Sequence, residues 1–244
     1  MSRTSVCAHR GASAYAPENT LNAFALAEKM NADGIELDVH LTSDGQVIVI
    51  HDEKTGRVGD REIVVGKSTL AEVKEVDVSR LHPECGRCQI PTMQEVLELL
   101  RPGRMYINIE LKTSPNEYPG IEEKLWKLIC DQKMQERVLF SSFNHLSLGR
   151  MKKIAPDRTC GLLYSCVMCE PWNYAAVNGF DALHPHYIEP LMQPEEGVRC
   201  HQKGILLHPW TVDNEEIMRK LIDIGADMLI TNVPDVARRI VDAG

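Results

Sequence analysis

Glu36 and Asp38 stand two positions apart in GIELDVHL, a run that alternates apolar and polar residues and reads as a strand. Residues two apart on a strand point to the same face, and carboxylates that share a buried face repel unless something neutralises them. A hard divalent cation does so, and oxygen ligands suit magnesium and calcium. Glu110, near the end of the apolar run INIEL, supplies a third carboxylate. A lone acid reads more readily as exposed or salt-bridged, but three at strand ends point to a cation. His9 closes the run SVCAH and His51 follows QVIVI. Two imidazoles flanking a metal-held phosphate can divide proton transfer, one as base and one as acid. Arg10, beside His9, carries a planar fork that suits phosphate oxygens.

These residues need a scaffold that gathers strand ends. Short β-branched runs alternate with helical segments along the chain, the pattern of parallel βα units. Strands are predicted at 6–9, 35–41, 105–111, 138–142, 161–164, 182–184, 205–212 and 228–231, with a return arm at 46–50. Helices are predicted at 21–30, 93–100, 121–133, 145–154 and 215–224. Setting the return arm aside, eight parallel strands close a (β/α)8 TIM barrel, whose active site lies at the carboxyl ends of its strands. The 244 residues fit one such domain. The stretch from about 53 to 90 is too long for a simple βα loop and is expected to form a small inserted subdomain.

Asp44-Gly45 is a hairpin signal. A two-residue turn there opposes His51 to Asp38 and stands it beside the acids; a three-residue loop opposes it to Leu37 and turns it away.

Hydrophobic residues make up 43% and charged residues 25% of the chain, which disfavours disorder. A net charge of -8 argues against a nucleic-acid partner. No run is long and apolar enough to span a bilayer, and the start lacks the apolar stretch of a secretory signal. A cytoplasmic protein without stable membrane insertion is therefore expected; whether it forms a homo-oligomer is open. The eight cysteines then read as reduced thiols. The C-x-x-C pairs Cys85/Cys88 and Cys166/Cys169 read as loop thiols ahead of a shared zinc site.

HRGASAYAPENTLNAF, GIELDVHLTSDGQVIVIHD and INIELK, followed by SSF, PWTV and GADMLITNVPD, resemble the glycerophosphodiester phosphodiesterases from first strand to last. The resemblance implies a barrel with an insertion after the second histidine. It further implies hydrolysis of diesters such as glycerophosphocholine or glycerophosphoethanolamine to sn-glycerol 3-phosphate and an alcohol, with magnesium or calcium. By position it makes His9 and His51 the acid/base pair and Glu36, Asp38 and Glu110 the metal ligands. Arg10 would hold phosphate, Lys112 would add positive charge, and Trp210 would either pack on the glycerol or fill the core. Asn232 stands where the family usually has aspartate; remote from the other motifs, it is expected to matter little. The Cys85 to Cys88 segment is unusual and bears on substrate access.

Two other functions compete: a lysophospholipase D-like enzyme, marked by an apolar channel or membrane-contacting loop, and a non-catalytic phosphodiester sensor, marked by a missing histidine or acid. Of the other histidines, His184 and His186 are expected to pack in the core or on the surface. His208 belongs to the wall around Trp210, and His40 is placed towards solvent.

Overall fold

A computed structural model describes residues 3–243. The strands are β1 (Ser5–His9), β2 (Gly34–Leu41), β3 (Val47–Val49), β4 (Tyr106–Leu111), β5 (Val138–Ser142), β6 (Cys160–Tyr164), β7 (Ala182–Pro185), β8 (Leu206–Leu207) and β9 (Met228–Thr231). All but β3 run parallel, side by side in the order β8-β7-β6-β5-β4-β2-β1-β9. The ring closes through the irregular chain after β8. Asp227 N–H donates to the Leu207 carbonyl at 2.8 Å, Ile230 N–H to Pro209 at 3.1 Å, and Val212 N–H to Ile230 at 2.9 Å. The architecture is the expected (β/α)8 barrel. The strand expected over 205–212 is regular only at Leu206–Leu207; beyond it lies Pro209, which has no N–H to give a ladder.

Around the ring run α1 (Leu21–Lys29), α2 (Leu70–Lys74), α3 (Met93–Leu100), α4 (Ile121–Asp131), α5 (His145–Ile154), α6 (Pro171–Asn178), α7 (Ile188–Met192), α8 (Glu196–Gln202), α9 (Glu215–Ile224) and α10 (Pro234–Ala243). Local chemistry starts several of them. The Thr92 hydroxyl accepts from Glu95 N–H while the Glu95 carboxylate accepts from Thr92 N–H, a reciprocal cap that opens α3. Asn144 and Asn214 cap α5 and α9.

Strand alternation decides what faces the helices. Leu37, Val39, Ile107, Ile109, Phe140 and Leu162 point outward and pack on Phe24, Leu97, Leu125 and Met151 in the main core. Each fully buried side chain of this kind stabilises the fold by about 2 kcal/mol. The intervening residues, Glu36, Asp38, Asn108, Glu110 and Ser141, face the barrel interior and are buried.

The expected two-residue turn is corrected. Val39 pairs with Val49, His40 with Ile48 and Leu41 with Val47, so Ser43-Asp44-Gly45 is a three-residue loop, closed by Gly45 at φ 76°. Glycine suits that left-handed position, which a side chain would strain. The ladder ends where Ile50 N–H meets the Asp38 carbonyl at 3.0 Å. Past Ile50 the chain bends, so the register no longer dictates where His51 points.

Chain leaving β3 and chain entering α3 run together: Ile48 pairs with Thr92, and Val49 N–H donates to the Pro91 carbonyl at 2.9 Å. Between them, Ile50, Val58, Val65, Val73, Val76 and Ile90 share a small apolar cluster with Ile48.

Glu196 on α8 is buried; one carboxylate oxygen takes the Tyr164 hydroxyl and the other has no partner. Burial, with Glu189 and Glu195 nearby, pushes its carboxyl from 4.5 up to about 7, although the tyrosine hydrogen bond opposes this. The unfolded chain ionises first as pH rises, so folding stability falls between pH 4.5 and 7, by about 3 kcal/mol at most, and is level above. Glu196→Gln should therefore gain denaturation midpoint over the parent at pH 8 relative to pH 4.5. Parallel curves for the two proteins would contradict this.

Candidate active site

A cleft of about 240 Å3 opens at the carboxyl ends of the strands. It is lined by His9, Arg10, Glu36, His51, Asn108, Glu110 and Ser141 together with Phe143, Leu163, Trp210 and Ile230. The strand register explains the polar groups: His9 pairs with Glu36, Glu36 with Asn108, and Asp38 with Glu110, so parallel neighbours bring the acids close together.

Glu36, Asp38 and Glu110 each offer an oxygen within 4.8 Å of the others. Lys112 Nζ donates to Glu110 Oε1 at 2.8 Å and lies 3.7 Å from Asp38 Oδ1. Arg10 Nε lies 3.5 Å from Asp38 Oδ2, which also accepts from Asn19 Nδ2 at 2.8 Å. Arg10 N–H donates to Glu36 Oε2 at 3.0 Å. Two cationic side chains thus face three carboxylates, and the shortfall shows in their titration. Burial, then Asp38, drives Glu110 up to about 7; burial, Asp38 and Glu110 raise Glu36 well above the carboxylate range. Asp38 is the exception: burial pushes it up, but Arg10, His51 and Lys112 hold it well below its usual value. Asp38 Oδ1 is buried without a hydrogen-bond partner. An all-oxygen donor set, short of positive charge and with an orphaned oxygen, fits a hard divalent cation.

Arg10 reaches this position through an uncommon backbone. It sits at φ 56° and Gly11 follows at φ 81°. A Cβ on Gly11 would lie 2.7 Å from the Ala23 backbone of α1, so glycine is required there by both conformation and space.

His9 Nδ1 lies 2.7 Å from Asn232 Oδ1, and Asn232 Nδ2 donates to Asp213 Oδ2 at 2.6 Å. Because that carboxylate accepts only, the amide is fixed with its oxygen towards His9. His9 therefore carries its proton on Nδ1 and leaves Nε2 as a lone pair, 3.9 Å from Glu36 Oε2. Burial, reinforced by Arg10, lowers its pKa from 6.5 to about 4. His51 Nδ1 is 2.6 Å from Asp52 Oδ1, and its Nε2 is 3.2 Å from Lys112 Nζ.

All eight residues singled out from sequence come together here. Trp210 lines the cleft, with Nε1 donating to the His184 carbonyl at 2.7 Å and its ring edge-to-face with Phe143 at 5.6 Å. His40 is buried, not solvated, with Nε2 donating to the His51 carbonyl at 3.0 Å. His184 and His208 bond one another at 2.9 Å inside the barrel. Asn232, expected from the sequence to be remote and to matter little, touches His9; Glu18, Asp52, Asn108 and Ser141 had no role assigned from the sequence. The only available signal was adjacency: Asp52 follows His51, and Glu18 and Asn19 lie in PENT. All eight cysteines are free thiols; Cys166 and Cys169 are exposed. Among the described residues no helix is long and apolar enough to cross a membrane.

A parallel barrel with this cluster at its carboxyl ends has the build of a phosphodiesterase. In the solved structures, an Oleispira antarctica phosphodiesterase in complex with the product sn-glycerol-3-phosphate matches with a TM-score of 0.87 at 28% identity, covering 98% of this chain and 97% of that one. Glycerophosphodiester phosphodiesterases from Caldanaerobacter subterraneus subsp. tengcongensis and Bacillus altitudinis are 44% and 38% identical, over 99% and 97% of this chain and 99% and 98% of their own. Residues 9–236 match the glycerophosphoryl diester phosphodiesterase family. The chain belongs to that family and is an enzyme of its kind.

Proposed function

We propose that the enzyme hydrolyses glycerophosphodiesters, such as glycerophosphocholine and glycerophosphoethanolamine, to sn-glycerol 3-phosphate and an alcohol. One observation carries this reading: two imidazoles line one cleft with Glu36 and Glu110, whose oxygens gather with those of buried Asp38, and apolar side chains complete the lining. Glu36, Asp38 and Glu110 would hold one divalent cation, magnesium or calcium, which when bound stabilises charge developing on the phosphoryl oxygens. Arg10 and Lys112 add hydrogen bonds to those oxygens. Neutral His9, its proton held on Nδ1 by Asn232, takes a proton at Nε2 from the nucleophile. His51, oriented by Asp52, delivers one to the departing alkoxide from Nε2, once that nitrogen has taken up a proton and released Lys112 to the phosphate. Trp210 and Phe143 pack against the glycerol carbons. The whole chain, 1–244, is one barrel domain in this reading, and its segment of about 53–90 is an inserted subdomain with its own apolar cluster.

A second reading, cleavage of lysophospholipids, is favoured by exposed Phe143, Leu146, Val167, Ile188 and Met192 on the chain that follows β5, β6 and β7, a rim on which an acyl chain could lie. Assays of glycerophosphocholine, glycerophosphoethanolamine and lysophosphatidylcholine, each with magnesium and with calcium, separate the two. The first reading expects kcat/KM at least about tenfold higher on the glycerophosphodiesters, a gap of about 1.4 kcal/mol. The reverse order supports the second, and no turnover on any of the three rejects both.

A further inference from the structure

The segment between β3 and α3 reaches the cleft machinery through Arg57, which ends the short 3-10 turn Thr55–Arg57. Its Nε donates to Asp52 Oδ2 at 2.6 Å, while Nη1 and Nη2 donate to Glu18 Oε2 and Oε1, both at 2.7 Å. Each of these carboxylates has a second task. Asp52 Oδ1 lies 2.6 Å from His51 Nδ1, and Glu18 Oε1 accepts from Arg10 Nη1 at 2.9 Å. One guanidinium therefore spans the group that orients His51 and the group that orients Arg10.

We propose that Arg57 is a positioning residue that sets His51 and Arg10 together, so that the segment between β3 and α3 governs proton transfer and phosphate binding through one side chain. The proposal rests on the roles given above to His51 and Arg10. Its physical basis is the shape of the fork. A carboxylate with one oxygen on its functional partner stays free to swing until the other oxygen is held, and a planar guanidinium can hold three oxygens at once. An ammonium is a point charge and reaches one carboxylate or the other. Burial raises both Glu18 and Asp52, yet Arg57 leads the groups that bring them below the usual carboxylate range. Arg57 is itself 40% exposed, so its ion pairs add little to folding stability. Its loss should instead be felt as misplacement of the reacting groups.

The test is a pair of double-mutant cycles on glycerophosphocholine hydrolysis. Arg57→Ala should lower kcat about tenfold and raise KM about fivefold. In an Asp52→Asn background the kcat effect of Arg57→Ala should vanish while the KM effect persists; in Glu18→Gln the KM effect should vanish while the kcat effect persists. Arg57→Lys should recover one parameter at most, and added methylguanidine should partly restore Arg57→Ala. If Arg57→Ala does not fold, Arg57→Gln takes its place in both cycles. Effects that multiply unchanged through both backgrounds, or an Arg57→Ala enzyme with the parental kcat and KM, would overturn the proposal alone. A parent enzyme inert on every diester would overturn the functional reading and this one with it.

Discussion

Replacing His51 with alanine should lower kcat on glycerophosphocholine by about a thousandfold, within the range of losses seen when a general acid or base is removed. His9→Ala should lose as much, because each imidazole serves a separate proton. Both variants should keep the parental affinity for calcium or magnesium, since the proposed ligands are carboxylates on β2 and β4. Folding should survive as well: both rings lie at the cleft and outside the apolar cores. The measurements are single-turnover rates, cation binding by calorimetry and thermal denaturation. An active His51→Ala enzyme would remove His51 from the mechanism. A His51→Ala enzyme that lost turnover and cation binding together would mean that the ring shapes the acidic cluster instead.

Chelation should abolish turnover, and added magnesium or calcium should restore it. Cation binding should also release protons, with a sign fixed by the site. Glu110, pushed up to about 7, is largely protonated at pH 6, and Glu36 is raised as well. A cation requires ionised ligands, so proton release should be large at pH 6 and shrink as pH rises past 7. Calorimetry in two buffers of different ionisation enthalpy reads this without any activity assay. In Glu110→Gln the release near pH 6 should fall. Asp38→Asn should weaken binding at every pH, because Asp38 is already ionised. Proton release that did not vary with pH would rule out these carboxylates as the ligands.

The acids were legible in the sequence because strand alternation is a local rule: Glu36 and Asp38 had to share a face, and both point inward. The position of His51 was anticipated by an argument that failed. The loop has three residues, and its register alone would have turned His51 away. The histidine reaches the cleft because the chain abandons the ladder after Ile50 and bends at His51, whose carbonyl accepts from His40 Nε2. Nothing in the alternation of the hairpin announces that bend. Asn232 shows the same limit: it is 223 positions from His9 in sequence and 2.7 Å away in space. Helices α2, α6, α7, α8 and α10 are not foreseen. All but α10 are short, and α6 follows Glu170 in a left-handed conformation without a side-chain cap to signal its start.

The stitch between Val49 and Pro91 has a bearing on how such an enzyme can diversify. Because the chain departs and returns at neighbouring points of the barrel wall, the stretch beyond Arg57 is an appendix whose length the scaffold feels little. Doubling a loop of that kind costs about 0.6 kcal/mol of closure entropy, far less than disturbing a strand that carries an acid. Lineages can therefore lengthen, shorten or rewrite the appendix, provided that an arginine still arrives where Arg57 now grips Asp52 and Glu18.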